Sequence, residues 1–163
     1  MFTEHFKANA RDGDSISCAV NGIMYRATIK RDDDSGAPDK EDEGFWPSLD
    51  PAAPGWIGEN PERSYEQRKA DCELVMARWK ARKMVYCGVV LSAEKAGIQL
   101  LAPYAHALWG VGVNWPRGDN AYLRDVANEL LSEAQEAAEA KLAEVIKEAE
   151  STLERLLRKE SSQ

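Results

Sequence analysis

The chain has 163 residues, 44% hydrophobic and 30% charged, enough for one core, and no Pro/Gly/Ser-rich linker parts two apolar blocks into separate domains. With 28 acidic against 21 basic residues the formal charge is -7, which favours solubility and repels nucleic acid, so direct DNA or RNA binding is not expected. Cys18, Cys72 and Cys87 are odd in number and widely spaced, which argues against a disulfide framework and for a reducing, cytoplasmic setting. No basic leader followed by an apolar run opens the sequence, and no stretch approaches the roughly 20 apolar residues of a membrane span, so neither secretion nor membrane association is expected.

Residues Met1 to Asp14 read as a short polar lead-in ending in the turn signal Asp12-Gly13-Asp14. Ser15–Val20 and Ile23–Arg31 then flank Asn21-Gly22, a pair suited to the type I′ turn, whose two central residues both need positive φ. A two-residue loop sets Val20 against Ile23, Cys18 against Tyr25, Ile16 against Ala27 and Asp14 against Ile29. The apolar members then share one face, while Ser17, Ala19, Met24, Arg26 and Thr28 take the other.

Between Asp32 and Asn60 the composition changes to nine carboxylates against Lys40 alone, with four prolines and four glycines. Asp32, Asp33, Asp34, Asp39, Glu41, Asp42 and Glu43 crowd its first part; Trp46 and Trp56 follow in Phe45-Trp46-Pro47 and Gly55-Trp56-Ile57. So long an irregular connection is usually functional or disordered. Its tryptophans either tack it to the body, the preferred reading, or anchor a partner.

Asn60-Pro61 reads as the cap and first-turn proline of a helix running to about Lys83, with an apolar stripe of Tyr65, Cys72, Val75, Met76 and Trp79. Arg63, Lys69, Arg78, Lys80, Arg82 and Lys83 fall on its other faces and toward its carboxyl end, where cations suit the helix dipole, and read as a solvated surface. Val85–Ser92 is the only long β-branched and aromatic run and reads as the central strand. Its Val85, Cys87, Val89 and Leu91 are expected under the helices; Tyr86, Gly88, Val90 and Ser92 face the other way.

Glu94–Gly97 turns this strand into a partner, Ile98–Ala102, which Pro103 stops. Tyr104–Trp109 reads as a short helical segment and Gly110–Gly118 as loop, with Trp109 and Trp115 at the edge of the core. From Asp119-Asn120, which supply the cap, to about Lys159 neither proline nor glycine interrupts the chain, which predicts a helix of about 40 residues, near 60 Å long. Leu123, Ala127, Leu131, Ala134 and Ala138 form the seam that docks on the sheet. Leu142, Ile146, Ala149, Leu153 and Leu156 form a second seam, offset by the four-four step Ala134-Ala138-Leu142. That second half either projects and pairs with a partner helix or folds back at a kink.

Chemical motifs are lacking. His5, Cys18, Cys72, Cys87 and His106 have no metal-ligand spacing, and a calcium loop begun at Asp32 would need glycine where Ala37 stands. Gly110-Val111-Gly112 lacks the third glycine and the preceding strand of a dinucleotide fingerprint. Cys87 and His106 are the one conceivable nucleophile and base, yet a mid-strand cysteine reads as core, with its thiol pKa raised by burial. No catalytic, cofactor-binding or metal residue is therefore assigned.

Four segments, Asp12-Gly13-Asp14-Ser15-Ile16, Arg31-Asp32-Asp33-Asp34-Ser35, Tyr86 to Ser92, and Ala107-Leu108-Trp109-Gly110 followed by Asp119 to Leu131, resemble small proteins carried by bacterial prophages, plasmids and other mobile elements. The resemblance spans most of Asp12 to Ala138 apart from the acidic loop and the helix after it, and stops before Leu142. It implies a genetic setting rather than an activity, and carries no catalytic residue.

The sequence thus predicts an α+β fold: an antiparallel sheet of about four strands from two hairpins, packed by a middle helix and a long C-terminal helix. Residues 1–138 form one domain including the acidic loop 32–60, and 139–163 extend the last helix. The function expected is that of a non-enzymatic acidic adaptor or inhibitor in the cytoplasm of a host cell, binding a protein partner. Anti-CRISPR or anti-restriction activity by nucleic-acid mimicry is its sharpest form. Asp32, Asp33, Asp34, Asp39, Glu41, Asp42, Glu43, Trp46 and Trp56 are the expected partner surface. The alternatives are a homo-oligomer, such as a homodimer, joined through Leu142, Ile146, Ala149, Leu153 and Leu156, or an enzyme whose site assembles only in space.

Overall fold

In the computed structural model, which describes residues 1–160, Asn21 and Gly22 take φ of 51° and 73°, the left-handed pair that a type I′ turn requires. They join Ser15–Val20 (β1) to Ile23–Arg31 (β2) in the expected register, with Val20 opposite Ile23, Cys18 opposite Tyr25 and Ile16 opposite Ala27. The chain continues through Pro38–Glu41 (α1), Tyr65–Lys80 (α2), Val85–Lys95 (β3), Ile98–Gln99 (β4), Ala107–Val113 (β5) and Tyr122–Glu160 (α3). The last three residues of the expected 139–163 extension lie outside the described residues.

All strand pairs are antiparallel: β2 lies between β1 and β3, and β4 and β5 share the far edge of β3. The central role expected of Val85–Ser92 holds, with the strand running on to Lys95. One sheet face, with Ile23, Tyr25, Ala27, Ile29, Cys87, Val89 and Leu91, is buried under Leu123, Ala127, Leu131, Ala134 and Ala138 of α3. Three of those helix positions are alanine and are fully buried, so the helix axis can lie close to the sheet. On the other face the Trp79 ring of α2 lies 5.8 Å from that of Tyr86.

Four expectations are corrected. The middle helix begins at Tyr65 and not at Pro61, because Ser64 caps it: its hydroxyl accepts from the Gln67 N–H while the Gln67 side chain accepts from the Ser64 N–H. The partner strand after the Glu94–Gly97 turn is only Ile98–Gln99. Ala107–Val113 is a strand rather than a helical turn leading into loop. Its glycines sit where rings need room: a Cβ on Gly112 would stand 2.5 Å from the Trp115 indole, and one on Gly88 opposite would stand 2.5 Å from the Trp109 ring. β5 carries an extra residue against Cys87–Val89, and Gly110 in this bulge has φ of 73°.

The fourth correction concerns the amino-terminal segment, which is a strap and not a polar lead-in. Phe2, Phe6 and Ala10 enter the main core. Side-chain amides hold its backbone along its length. Asn128 accepts from the Phe2 N–H (2.8 Å) and donates to its carbonyl (3.2 Å); Asn114 does the same for Ala10 at 2.9 Å each way. Buried Asn120 donates to the Ala8 carbonyl (3.0 Å) and to Asn114 Oδ1 (2.8 Å), and accepts from the Asn114 N–H (2.8 Å). Asn114 and Asn120 both have left-handed backbones, a conformation asparagine tolerates better than most residues.

Candidate interaction surfaces

The stretch Asp32–Asn60 is an ordered platform, and its acidic side chains hold much of it in shape. Asp32 accepts from the Ser35 hydroxyl and from the backbone N–H groups of Asp34 and Gly110. The last of these fixes the start of the loop to the β5 bulge. Burial pushes the Asp32 carboxyl up, but these hydrogen bonds outweigh it and hold the group below its ordinary value. Glu41 accepts from the Gly36 N–H, Asp42 from Gly44 and Asp50 from Ala52, while Asp33 pairs with Arg31 at 2.7 Å. That leaves Asp34, Asp39, Glu43 and Glu59 without such a role among the described residues, Asp39 half-buried and the others exposed.

Packing of this platform onto the body comes from residues other than the tryptophans. Pro38 and Ile57 are buried, and the Cys72 thiol of α2 donates to the Phe45 carbonyl at 2.9 Å; within the platform Ser48 bridges to Trp56. Trp46 stacks edge-on against Phe45, with centroids 5.1 Å apart, yet remains 40% exposed; Trp56 is 42% exposed and Leu49 is 69% exposed. Both tryptophans are thus partly covered and partly presented to solvent. Gly55 lies against the Trp46 carbonyl, so the two tryptophan-bearing backbones run side by side.

The second surface is the end of α3. Leu142 still packs against the core, but every side chain from Lys147 to Arg158 is exposed. Ile146, Ala149, Leu153 and Leu156 keep their spacing along this part. The helix is unbroken from Tyr122 to Glu160, and no fold-back occurs. About 18 residues thus leave the body as a rod near 27 Å long.

Cys87 and His106 do not meet. Cys87 is paired with Val111, whereas the His106 carbonyl accepts from the Leu91 N–H, four residues further along β3 and roughly 13 Å away at strand spacing. Burial and the neighbouring Asp32 charge push the Cys87 thiol up to about 12, which leaves it protonated and inert at neutral pH. Among the described residues no group of three His, Cys, Asp or Glu side chains is placed to hold a metal ion.

One feature is invisible in the linear sequence. A cleft at the end of the sheet where α2 passes into β3 gathers basic residues from the strap, from β2 and from the carboxyl end of α2. The basic residues at the end of α2 were legible only as a solvated face.

Compared with protein-family models, curated proteins and solved structures, the chain matches none. What fold and surfaces define is an α+β protein built on one antiparallel sheet, in which, among the described residues, no helix is long and apolar enough to cross a membrane.

Proposed function

We propose that this is a non-enzymatic protein-binding protein whose partner docks on the Asp32–Asn60 platform. The observation that carries the reading is the pairing of exposed Trp46, Leu49 and Trp56 with a backbone braced by internal carboxylate hydrogen bonds. Rigid aromatic anchors are where binding energy concentrates in protein interfaces, and little ordering entropy is lost when they are already held. The unengaged carboxylates at the rim favour a basic partner surface. Such a module fits the prophage or plasmid setting that the sequence resemblance implies, and inhibition of a nucleic-acid-handling enzyme is one form it takes. Mimicry of a phosphate ladder has less support than anchoring, since five of the nine loop carboxylates are engaged within the chain.

The test is affinity capture from a bacterial lysate with the wild-type chain and with Trp46→Ala/Trp56→Ala. A stoichiometric protein held by the wild type and lost from the variant is expected, because each truncation removes about 2 kcal/mol or more of binding at an anchor position. Equal retention by both chains, or no protein retained by either, sinks the reading.

A second reading, self-association, is favoured by the projecting end of α3, whose Ile146, Leu153 and Leu156 are 49%, 58% and 53% exposed on one seam. Two such seams bury each other in a coiled coil. Light scattering should give twice the chain mass of 18.1 kDa for the full chain and a monomer for a chain ending at Leu142. The same oligomeric state in both chains removes the tail as the assembly element.

A further inference from the structure

The cleft at the carboxyl end of α2 has a volume of about 560 Å³, within the range of small-molecule sites. Arg11 of the strap, Arg31 of β2, and Arg78, Arg82 and Lys83 line it, against the single carboxylate of Asp12. Five lining cations less one lining anion give +4, and because Arg31 is paired with Asp33 at 2.7 Å the unpaired excess is +3, in a chain whose net charge is -7. Asp12 is itself engaged with the Arg31 N–H at 2.9 Å. Arg11, Arg82 and Lys83 form no ion pair among the described residues, and the half-buried Arg78 donates from Nε to the Asn114 carbonyl at 3.3 Å.

The way α2 ends makes this clustering unusual. The Arg82 N–H donates to the Trp79 carbonyl (2.8 Å) and the Lys83 N–H to that of Arg78 (2.9 Å), the paired bonds of a Schellman cap. The left-handed position of that cap normally holds glycine; here Arg82 occupies it, with φ of 55°. The two positions that normally touch through apolar side chains are Arg78 and Lys83. All three cap residues thus direct like charges to one cleft. The α2 dipole favours cations at this end, but it amounts to about half a charge and does not account for Arg11 and Arg31, which arrive from other elements.

The interior is different in character. Ile29, Val85, Cys87 and Val113 line the same cleft, and all but Val85 are fully buried. Val85 is thus the apolar side chain of the four that is open to the cleft, and with the aliphatic stems of the arginines it suits a ligand that carries charge at one end and a flat or apolar body at the other. We propose that this cleft binds a small organic phosphate of mononucleotide size, with the phosphoryl oxygens on Arg11, Arg78, Arg82 and Lys83 and the organic body against Val85 and the aliphatic stems of the arginines.

The test is isothermal titration calorimetry of the full chain at low ionic strength with AMP, ADP and ATP, and with adenosine, inorganic phosphate and a short DNA duplex as comparators. The decisive variant is Arg82→Gly, which removes a cation while placing at φ of 55° the residue that geometry prefers, so the fold is retained. At least one nucleotide should bind more tightly than adenosine or inorganic phosphate, weaken with added salt, and lose about tenfold in affinity in Arg82→Gly. Three results would overturn the proposal: no binding of any nucleotide at millimolar concentration, equal affinity in Arg82→Gly, or binding of the duplex without binding of mononucleotides. The platform and the α3 tail are not involved, so this outcome is independent of the partner-capture experiment.

Discussion

Replacing Asn120 by alanine is expected to destabilise the protein by about 3–5 kcal/mol and to free the segment from Met1 to Ala10. The Asn120 side chain is 1% exposed and bonds to the Asn114 N–H, to Asn114 Oδ1 and to the Ala8 carbonyl. Alanine leaves buried polar groups unpaired, each costing about 1–3 kcal/mol, and adds roughly 1 kcal/mol for a left-handed residue with a Cβ and no side-chain amide. For a chain of this length the melting temperature should fall on the order of 10 °C, with new proteolytic cleavage in the strap. Asn120→Gly separates the two terms, since it loses the amide but relieves the backbone, and should lie about 1 kcal/mol above Asn120→Ala. A melting temperature for Asn120→Ala within about 2 °C of the wild type would show that the amide cluster does not secure the strap.

The second large effect is expected at Gly88. A Cβ there would stand 2.5 to 2.8 Å from three atoms of the Trp109 ring, closer than real contacts allow, so Gly88→Val must drive the indole off the sheet. Trp109 also lies 6.1 Å from the Tyr104 ring, and both lose their cover when it moves. The gain from replacing a strand glycine, about 0.5–1 kcal/mol, offsets only part of the lost packing, and a net cost of about 2–3 kcal/mol is expected in denaturant titration. Trp109 fluorescence should shift to the red in the folded variant. An unshifted spectrum with wild-type stability would mean that the ring does not rest on Gly88.

Gly88 and Trp109 also mark where the sequence was hard to read. Asn21-Gly22 announces the first hairpin because turn chemistry and alternation agree, and the buried set Cys87, Val89 and Leu91, with half-buried Val85, follows from period two alone. The seam Leu123–Ala138 was equally plain, since three- and four-residue spacing over an uninterrupted run admits little but a helix. β5 is hidden in the sequence because Gly110 and Gly112 weaken a strand pattern, and the reasons for glycine there are a left-handed bulge at Gly110 and the Trp115 ring against Gly112. The start of α2 is ambiguous in the sequence because Asn60-Pro61 competes as a start signal with the capping box Ser64-x-x-Gln67, which the helix uses.

The surfaces divide in the same way. The carboxylates and tryptophans of Asp32–Asn60 were visible as a composition, but which of them are spent on internal turns depends on backbone paths that no local pattern states. The strap was unreadable because Phe2, Phe6 and Ala10 are held by amides more than 100 residues away. The cleft was unreadable for a related reason, since its cations come from three stretches of chain that alternation and helical spacing treat separately.

The strap has a consequence for the order in which the molecule can assemble. Its anchors are Asn114, Asn120 and Asn128, with sequence separations of 104 to 126 residues from the groups they hold. During synthesis the strap therefore cannot be seated until the β5–α3 connection and the first turns of α3 have left the ribosome. Until then Phe2 and Phe6 stay in water and the sheet face beneath them is uncovered. Closing so long a loop is slow relative to forming the Asn21-Gly22 hairpin. The strap is thus made before the elements that hold it and locked after them, and its docking completes one wall of the basic cleft.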